Sequence, residues 1–228
     1  MRTCIVFMAL IIYSINVLAQ NERNLKKIQD KVMSENMHNG NTQRYLSPSD
    51  IGGSPYLRTD FQKSYILKTN GTEIKDIPLR LNMYRNTMEF CKDGKILEIA
   101  FPTEIQRINM SGDIFIYARF MSRNKITHGY FQVLYDGDYK LLKKHNVILK
   151  PTDSSSSKDS LHFVAQKAQY YLKHGDSMPR LIISRKQLIK LLQPVHQPVI
   201  DFINTIKINA TDEPKLILLM KFLEENEN

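Results

Sequence analysis

Between residues 64 and 150 the chain alternates apolar and polar side chains in short runs, and several runs end on a residue pair suited to a tight turn. The runs are 64-SYILKT-69, 77-IPLRLNMY-84, 87-TMEFCK-92, 95-KILEIAF-101, 105-IQRINM-110, 113-DIFIYARFM-121, 129-GYFQVLY-135, 138-DYKLLKKH-145 and 147-VILK-150. Asn70-Gly71, Asp93-Gly94, Ser111-Gly112 and Asp136-Gly137 occupy gaps between them, and such pairs tolerate the positive φ that two-residue hairpin turns need. A period of two sends alternate side chains to opposite faces, so the pattern calls for strands rather than helices. Strands joined by such turns are antiparallel neighbours, which predicts a meander. Eight or nine strands are too many for a flat sheet of this size, so the sheet is expected to curl into a sandwich or open barrel.

The flanks change period. Residues 24–37 put Leu25, Ile28, Val32 and Met33 on one stripe, which predicts a short amphipathic helix, followed by a Gly-, Ser-, Asn- and Pro-rich linker over 39–56. After the polar stretch 151-PTDSSSSKDS-160, residues 161–184 read as a hairpin turning at Gly175-Asp176. Ser184 is placed to cap a helix carrying Leu188, Leu191 and Leu192, and Pro198 suits the first turn of a second. Thr211, followed by Asp212, Glu213 and Pro214, opens a third. That last helix is too apolar to stand free and must dock on the sheet, on other helices or on a partner. The expected architecture is α+β: a curled antiparallel meander at 56–150, an N-terminal helix and linker at 20–55, a loop and hairpin at 151–183, and a docked helical subdomain at 184–228.

Residues 1–19 carry Arg2, an apolar core from Ile5 to Val17, and Val17 and Ala19 at the −3 and −1 positions of a cleavage site, which reads as a secretory signal. No other segment is long and apolar enough to be expected to span a bilayer. Cleavage would remove Cys4 and leave Cys91 alone, so no intramolecular disulfide is expected and the fold must rest on its core. An exported chain without disulfides fits a bacterial periplasmic or secreted protein, and the Asn70, Asn109 and Asn209 sequons are then chance matches. The chain holds 32 basic and 23 acidic residues, a formal charge of +9. The excess lies at 56–150, with 16 basic against 10 acidic residues. Long-range attraction then favours anionic partners such as lipid headgroups, envelope polysaccharide or acidic protein surfaces.

Catalytic signatures are absent from the sequence. The six histidines are scattered, with no H-x-H, H-E-x-x-H or C-x-x-C spacing, and no cofactor or metal is expected. Asp136 and Asp138 bracket a turn without the rest of a calcium loop. No G-x-S-x-G or phosphate-binding glycine loop occurs, nothing pairs two of Glu89, Glu98, Glu104 and Asp113 for glycoside cleavage, and Cys91 sits within an alternating run as a small strand residue. Basic residues form no dense stripe of the kind that nucleic acid requires. One strand stands out: in 113-DIFIYARFM-121, Ile114, Ile116, Ala118 and Phe120 share one face and Phe115, Tyr117 and Arg119 the other. Both faces are partly apolar, which predicts a central strand covered on both sides. Phe115, Tyr117 and Arg119 are the candidate binding residues, an aromatic row beside a guanidinium suited to a sugar or peptide.

The ordered segments 53-GSPYL-57, Phe61, 77-IPLRLNMYRNTMEF-90, 129-GYFQVLYDGDYKLLKKHNV-147, 170-YYL-172 and 184-SRKQLIKLL-192 resemble a family of uncharacterised exported proteins from Bacteroidetes-type Gram-negative bacteria. The resemblance implies a compartment (periplasmic, outer-membrane-associated or secreted) and carries no assigned chemistry. In such bacteria 159-DSL-161 and 176-DSM-178 also look like O-glycosylation tripeptides. The expected function is a non-enzymatic binding or interaction module facing an envelope protein, a glycan or an anionic surface. The alternatives are a hydrolase of envelope polymers or glycans, with a site assembled from distant residues, and a structural subunit of an envelope assembly.

Overall fold

The computed structural model describes residues 51–151, 161–192 and 197–226. The strands β1 (Gln62–Lys68), β2 (Glu73–Asn82), β3 (Thr87–Lys92), β4 (Lys95–Glu98), β5 (Ile105–Met110), β6 (Asp113–Ser122), β7 (Lys125–Asp136), β8 (Tyr139–Lys144) and β9 (Val147–Pro151) follow the nine alternating runs in order. After them come β10 (Leu161–Ala165), β11 (Gln169–His174), β12 (Arg180–Leu181) and three helices: α1 (Arg185–Leu191), α2 (Gln197–Thr205) and α3 (Glu213–Asn226). Ten strands form one antiparallel sheet in the order β12-β11-β8-β7-β6-β5-β1-β2-β3-β4, while β9 and β10 pair as a separate two-stranded arm. The expected N-terminal helix lies outside the described residues.

The meander is broken twice, at β9, which leaves the sheet to pair with β10, and between β4 and β5. β5 pairs with β1 and not with β4, so residues 99–104 carry the chain back across the end of the sheet. This crossing holds a 3-10 turn, Pro102–Glu104, and is tied down where Thr69 N–H donates to the Glu104 carbonyl. Its physical reason is visible in the chain: the gap contains Pro102 and no residue pair that reverses direction in two positions. Where such pairs exist, the hairpins form. Asp93 and Gly94, and Ser111 and Gly112, all take positive φ. Arg123 and Asn124 do the same without a glycine, which extends the β6–β7 hairpin beyond the alternating runs. The Asp136-Gly137 turn is made without positive φ, its carboxylate bound by Lys140. The expected 161–184 hairpin divides: β10 turns back onto β9, and only β11 and β12 pair around Gly175.

One side chain shows how strongly the sheet curls. β8 ends at Lys144, one residue past its pairing of Lys143 with Gln132, so the β7 edge at His128–Tyr130 has no strand beside it. Asn86, in the turn after β2, fills the gap: its Nδ2 donates to His128 O at 3.1 Å, and Tyr130 N–H donates to its Oδ1 at 3.2 Å. The carboxamide thus supplies the donor and acceptor that a neighbouring strand would have offered. β2 lies four strands from β7 in the sheet, so this contact requires the β7-β6-β5-β1-β2 segment to roll up. Inside the roll sit Ile66, Leu79, Leu81, Met88, Ile108, Met110, Phe115 and Tyr130, all buried. Asn86 holds φ at 56°, a left-handed conformation that asparagine tolerates.

A second bend lies in the β6–β7 hairpin. Pairing sets Tyr171 level with Leu142 and Val133, and Phe120 level with Thr127, six residues away along β7. In a straight strand that offset is about 20 Å, yet the Phe120 and Tyr171 rings are 5.7 Å apart. The outer half of the hairpin therefore folds back over the sheet, enclosing Phe120, Phe131, Leu142 and Tyr171. Gly129 lies between these two levels of β7. A Cβ there would stand 2.8 Å from both Asn86 Nδ2 and Lys144 Nζ, so the close approach needs glycine. Lys144 Nζ donates to Asn86 Oδ1 at 3.0 Å and lies over the Phe120 and Phe131 rings.

The polar half of the opening alternation is also structural. Arg80 lies over the rings of Tyr56 and Phe61, and donates to Glu89 and to the Tyr56 hydroxyl. Glu89, 3% exposed, also accepts from Asn82 Nδ2. The helices cover the opposite sheet face, the one that lines the roll, at its other end, packing Leu188, Leu192, Ile203, Leu216 and Leu219 on Tyr139, Leu141, Tyr170 and Leu172. Ser184 caps α1 by accepting from Gln187 N–H. The cap of α3 falls one residue later than expected, on Asp212, whose carboxylate accepts from Lys215 N–H. Glu213 anchors that helix to the sheet through Lys143 and Tyr170.

Two outcomes follow for stability. Asn86→Ala removes three hydrogen bonds and strips the partners from two β7 backbone groups, so it should cost about 2–4 kcal/mol in urea unfolding. Asn86→Gly, which keeps the positive φ, should cost nearly as much. Burial lowers the Lys144 pKa from 10.5 to about 8. Between those pH values the unfolded chain binds the extra proton and the folded chain does not, so stability rises with pH through that window. Lys144→Met should abolish that rise. The stability of wild type relative to this variant should therefore improve by about 2 kcal/mol from pH 7.5 to pH 10, read by urea midpoints.

Candidate functional site

Phe115, Tyr117 and Arg119 point to one face of β6, as the alternation requires, but they lie at three depths. Phe115 is 0% exposed and packs inside the roll, so it offers no surface to a ligand and belongs to the core. The same face that is exposed at one end of a curled strand is enclosed at the other, and Phe115 is at the enclosed end. Tyr117 is half-buried. Its ring meets Tyr130 edge-on at 4.9 Å and stacks on His128 at 5.9 Å with a 12° interplanar angle. Arg119 is exposed, directly across the β6–β7 ladder from His128. Burial raises the pKa of the Tyr117 phenol, and raises that of Tyr130 further, which keeps both neutral. The Tyr130 hydroxyl is buried without a hydrogen-bond partner among the described residues.

Tyr117, Arg119 and His128 form one wall of an open groove of about 510 Å³. Thr103 of the 99–104 crossing and the β11–β12 turn, Lys173 and 176–179, form the rest. The folded-back hairpin brings a second groove, about 560 Å³, against the other side of the same turn. The two share Ser177, Met178 and Pro179, and the second adds Met121, Arg123, Arg180 and Ile183. Together they make one continuous face.

Cations gather on it. Several cations elsewhere are neutralised locally, Lys63 by Asp76, Lys68 by Glu104, Lys75 by Glu73, Arg85 by Glu98 and Lys143 by Glu213, while Lys92, Lys95, Arg107 and Arg185 stand without an ion pair among the described residues. Arg119, Arg123, Lys125 and Arg180 have no ion-pair partner among the described residues, and Asp176 is the one carboxylate lining either groove. Lys173 donates to the Gly175 carbonyl. Apolar side chains stand among these charges: Met121, Ile126, Met178 and Ile183 are 39–70% exposed. A stacked aromatic wall with unpaired guanidinium groups can hold a planar or ring-bearing anion by stacking and charge-assisted hydrogen bonds.

Other titratable groups serve the scaffold. His145 is hydrogen-bonded to Gln132 Oε1 at 2.7 Å, and burial together with nearby Lys143 lowers its pKa to about 4. Among the described residues no group of three or more His, Cys, Asp or Glu is placed to hold a metal. A smaller apolar groove of about 300 Å³, lined by Ile74, Ile77, Phe90 and Phe101, opens on the other side of the 99–104 crossing. Cys91 is exposed on the β3–β4 hairpin. No helix among the described residues is long and apolar enough to cross a membrane. Of the site, the sequence reading located Tyr117 and Arg119. It missed His128, Arg123, Arg180 and Met178, because distant segments meet there through a bend that leaves no local pattern.

Comparison of the chain with protein-family models, with curated proteins and with solved structures finds no match.

An exposed strand thiol with no partner should be reactive and dispensable. A maleimide reagent should label the Cys91-bearing peptide in native buffer, and Cys91→Ser should shift stability by no more than about 0.5 kcal/mol. Protection of that peptide until denaturant is added would show a buried thiol instead.

Proposed function

We propose that the chain is an exported, non-enzymatic binding module that takes an anionic partner on the face around Tyr117 and Arg119. The observation that carries the reading is the gathering of Arg119, Arg123, Lys125 and Arg180, none ion-paired among the described residues, beside the Tyr117–His128 stack. Cations left open on a folded surface keep their full attraction for an incoming anion, since no neighbouring carboxylate competes. The signal-like N-terminus and the resemblance to exported proteins of Bacteroidetes-type Gram-negative bacteria support an envelope or secreted setting. There acidic glycans, anionic lipids and acidic protein surfaces are all available. The apolar face of α3 is used against the sheet, with Leu218 half exposed, so that helix contributes little to an assembly surface.

The test is binding to dextran sulfate, with neutral dextran as control, by isothermal titration at rising salt. Dextran sulfate should bind, neutral dextran should not, and affinity should fall as salt screens the face. Arg119→Ala combined with Arg180→Ala should weaken binding by about tenfold, and Tyr117→Ala severalfold. Equal affinity for both dextrans, or a double variant that binds as wild type does, would remove the reading.

A further inference from the structure

We infer that this face docks on the surface of an anionic lipid bilayer. The inference rests on the anion-binding reading above and identifies the anion as a layer of lipid headgroups. What distinguishes a headgroup layer from a soluble acid is the apolar component of the face.

Met121 and Ile126 are cross-strand partners beside the Arg123-Asn124 turn, 49% and 53% exposed. Across the shared grooves stand Met178 at 39% and Ile183 at 70%. A soluble polyanion gains nothing from these aliphatic groups, and water exposes them at a cost. A bilayer interface accepts them just below the headgroups while the flanking cations meet the phosphates. The spacing suits that division. Arg123 and Lys125 flank the turn between Met121 and Ile126, and Arg180 stands between Met178 and Ile183. Long arginine and lysine stems let the charge reach the phosphate plane while their methylene carbons lie along apolar surface.

One other exposed apolar group gives a contrast. Around Ile74 and Phe101 the rim cation Lys68 is closed by Glu104, so that groove lacks the same open charge. The β6–β7 hairpin is anchored just before its tip, where Phe120, adjacent to Met121, packs against Phe131 and Tyr171.

The experiment is co-sedimentation of the purified protein with vesicles of phosphatidylglycerol and phosphatidylcholine in equal parts, against phosphatidylcholine alone, with dextran sulfate binding measured in parallel. Mixed vesicles should bind at least about tenfold more tightly than neutral ones, since each cation near an anionic surface contributes on the order of fivefold. Arg123→Glu with Arg180→Glu should abolish the preference. Met121→Ser with Ile126→Ser should weaken vesicle binding about tenfold and leave dextran sulfate binding unchanged. All four positions are exposed, and unchanged urea midpoints check that each variant folds. Binding to dextran sulfate without binding to mixed vesicles would overturn the bilayer inference and leave the anion-binding reading standing. Loss of both would overturn both. Vesicle binding that ignores lipid charge, or that survives the Met121/Ile126 change, would also overturn the inference.

Discussion

The carboxamide of Asn86 is the contact on which the curvature of this protein depends. A sheet closes on itself most simply by strand-to-strand hydrogen bonds, but here β8 stops short and leaves a few β7 backbone groups without a neighbour. Asn86 offers one donor and one acceptor on a planar amide, the same pair that a residue of an adjacent strand presents. Lys144 then donates to the same oxygen, and Gly129 leaves the room for both side chains. Three segments far apart in sequence therefore meet in one small polar contact, with apolar clusters on either side of it. A leucine at position 86 would add buried carbon and lose the closure, because the need at this edge is for hydrogen bonds and not for volume.

Most of the strand content was legible because it rests on local rules. Alternation placed all nine strands from β1 to β9, and the pairs Asp93-Gly94 and Ser111-Gly112 marked reversals that the backbone makes with positive φ. The rules failed where geometry is not local. The crossing at 99–104 breaks the meander, and its only sequence sign is negative: a proline where a turn pair would have been. The Asn86 closure leaves no sign at all, since an asparagine after a strand reads equally well as an ordinary turn residue. The Arg123-Asn124 turn was missed because the alternation weakens at Ser122 and resumes only near Gly129, the stretch that bends.

The candidate site shows the same division. Period-two reasoning put Phe115, Tyr117 and Arg119 on one face correctly, and the two covered faces of β6 were expected from its composition. Depth along the strand was not available from that pattern. A curled sheet buries one end of a face and exposes the other, so neighbours two residues apart pass from core to surface: Phe115 is enclosed, Tyr117 is a wall and Arg119 is open. Nor does the charge excess at 56–150 say where open cations gather. Lys63, Lys68, Lys75, Arg80 and Arg85 are in that region too, and each is matched with a carboxylate by cross-strand or turn geometry.

The scaffold and the face are thus linked through the bend in β7. Gly129 leaves room for Asn86 and Lys144 in the curled part of β7, Phe120 packs beside Tyr171, and the next residues along β6 arrive next to β12. Without the bend, Met121 and Arg123 would project from the far end of a straight hairpin, more than about 30 Å from the β11–β12 turn, and neither shared groove would exist. The polar contact that closes the roll at Asn86 sits at the same point of β7, two residues from Phe131 and opposite Ala118. One small region therefore fixes both the curvature of the core and the composition of the surface beyond it. That is why this face combines residues from the strands, the turn and the start of the helical layer that no segment of the chain holds together.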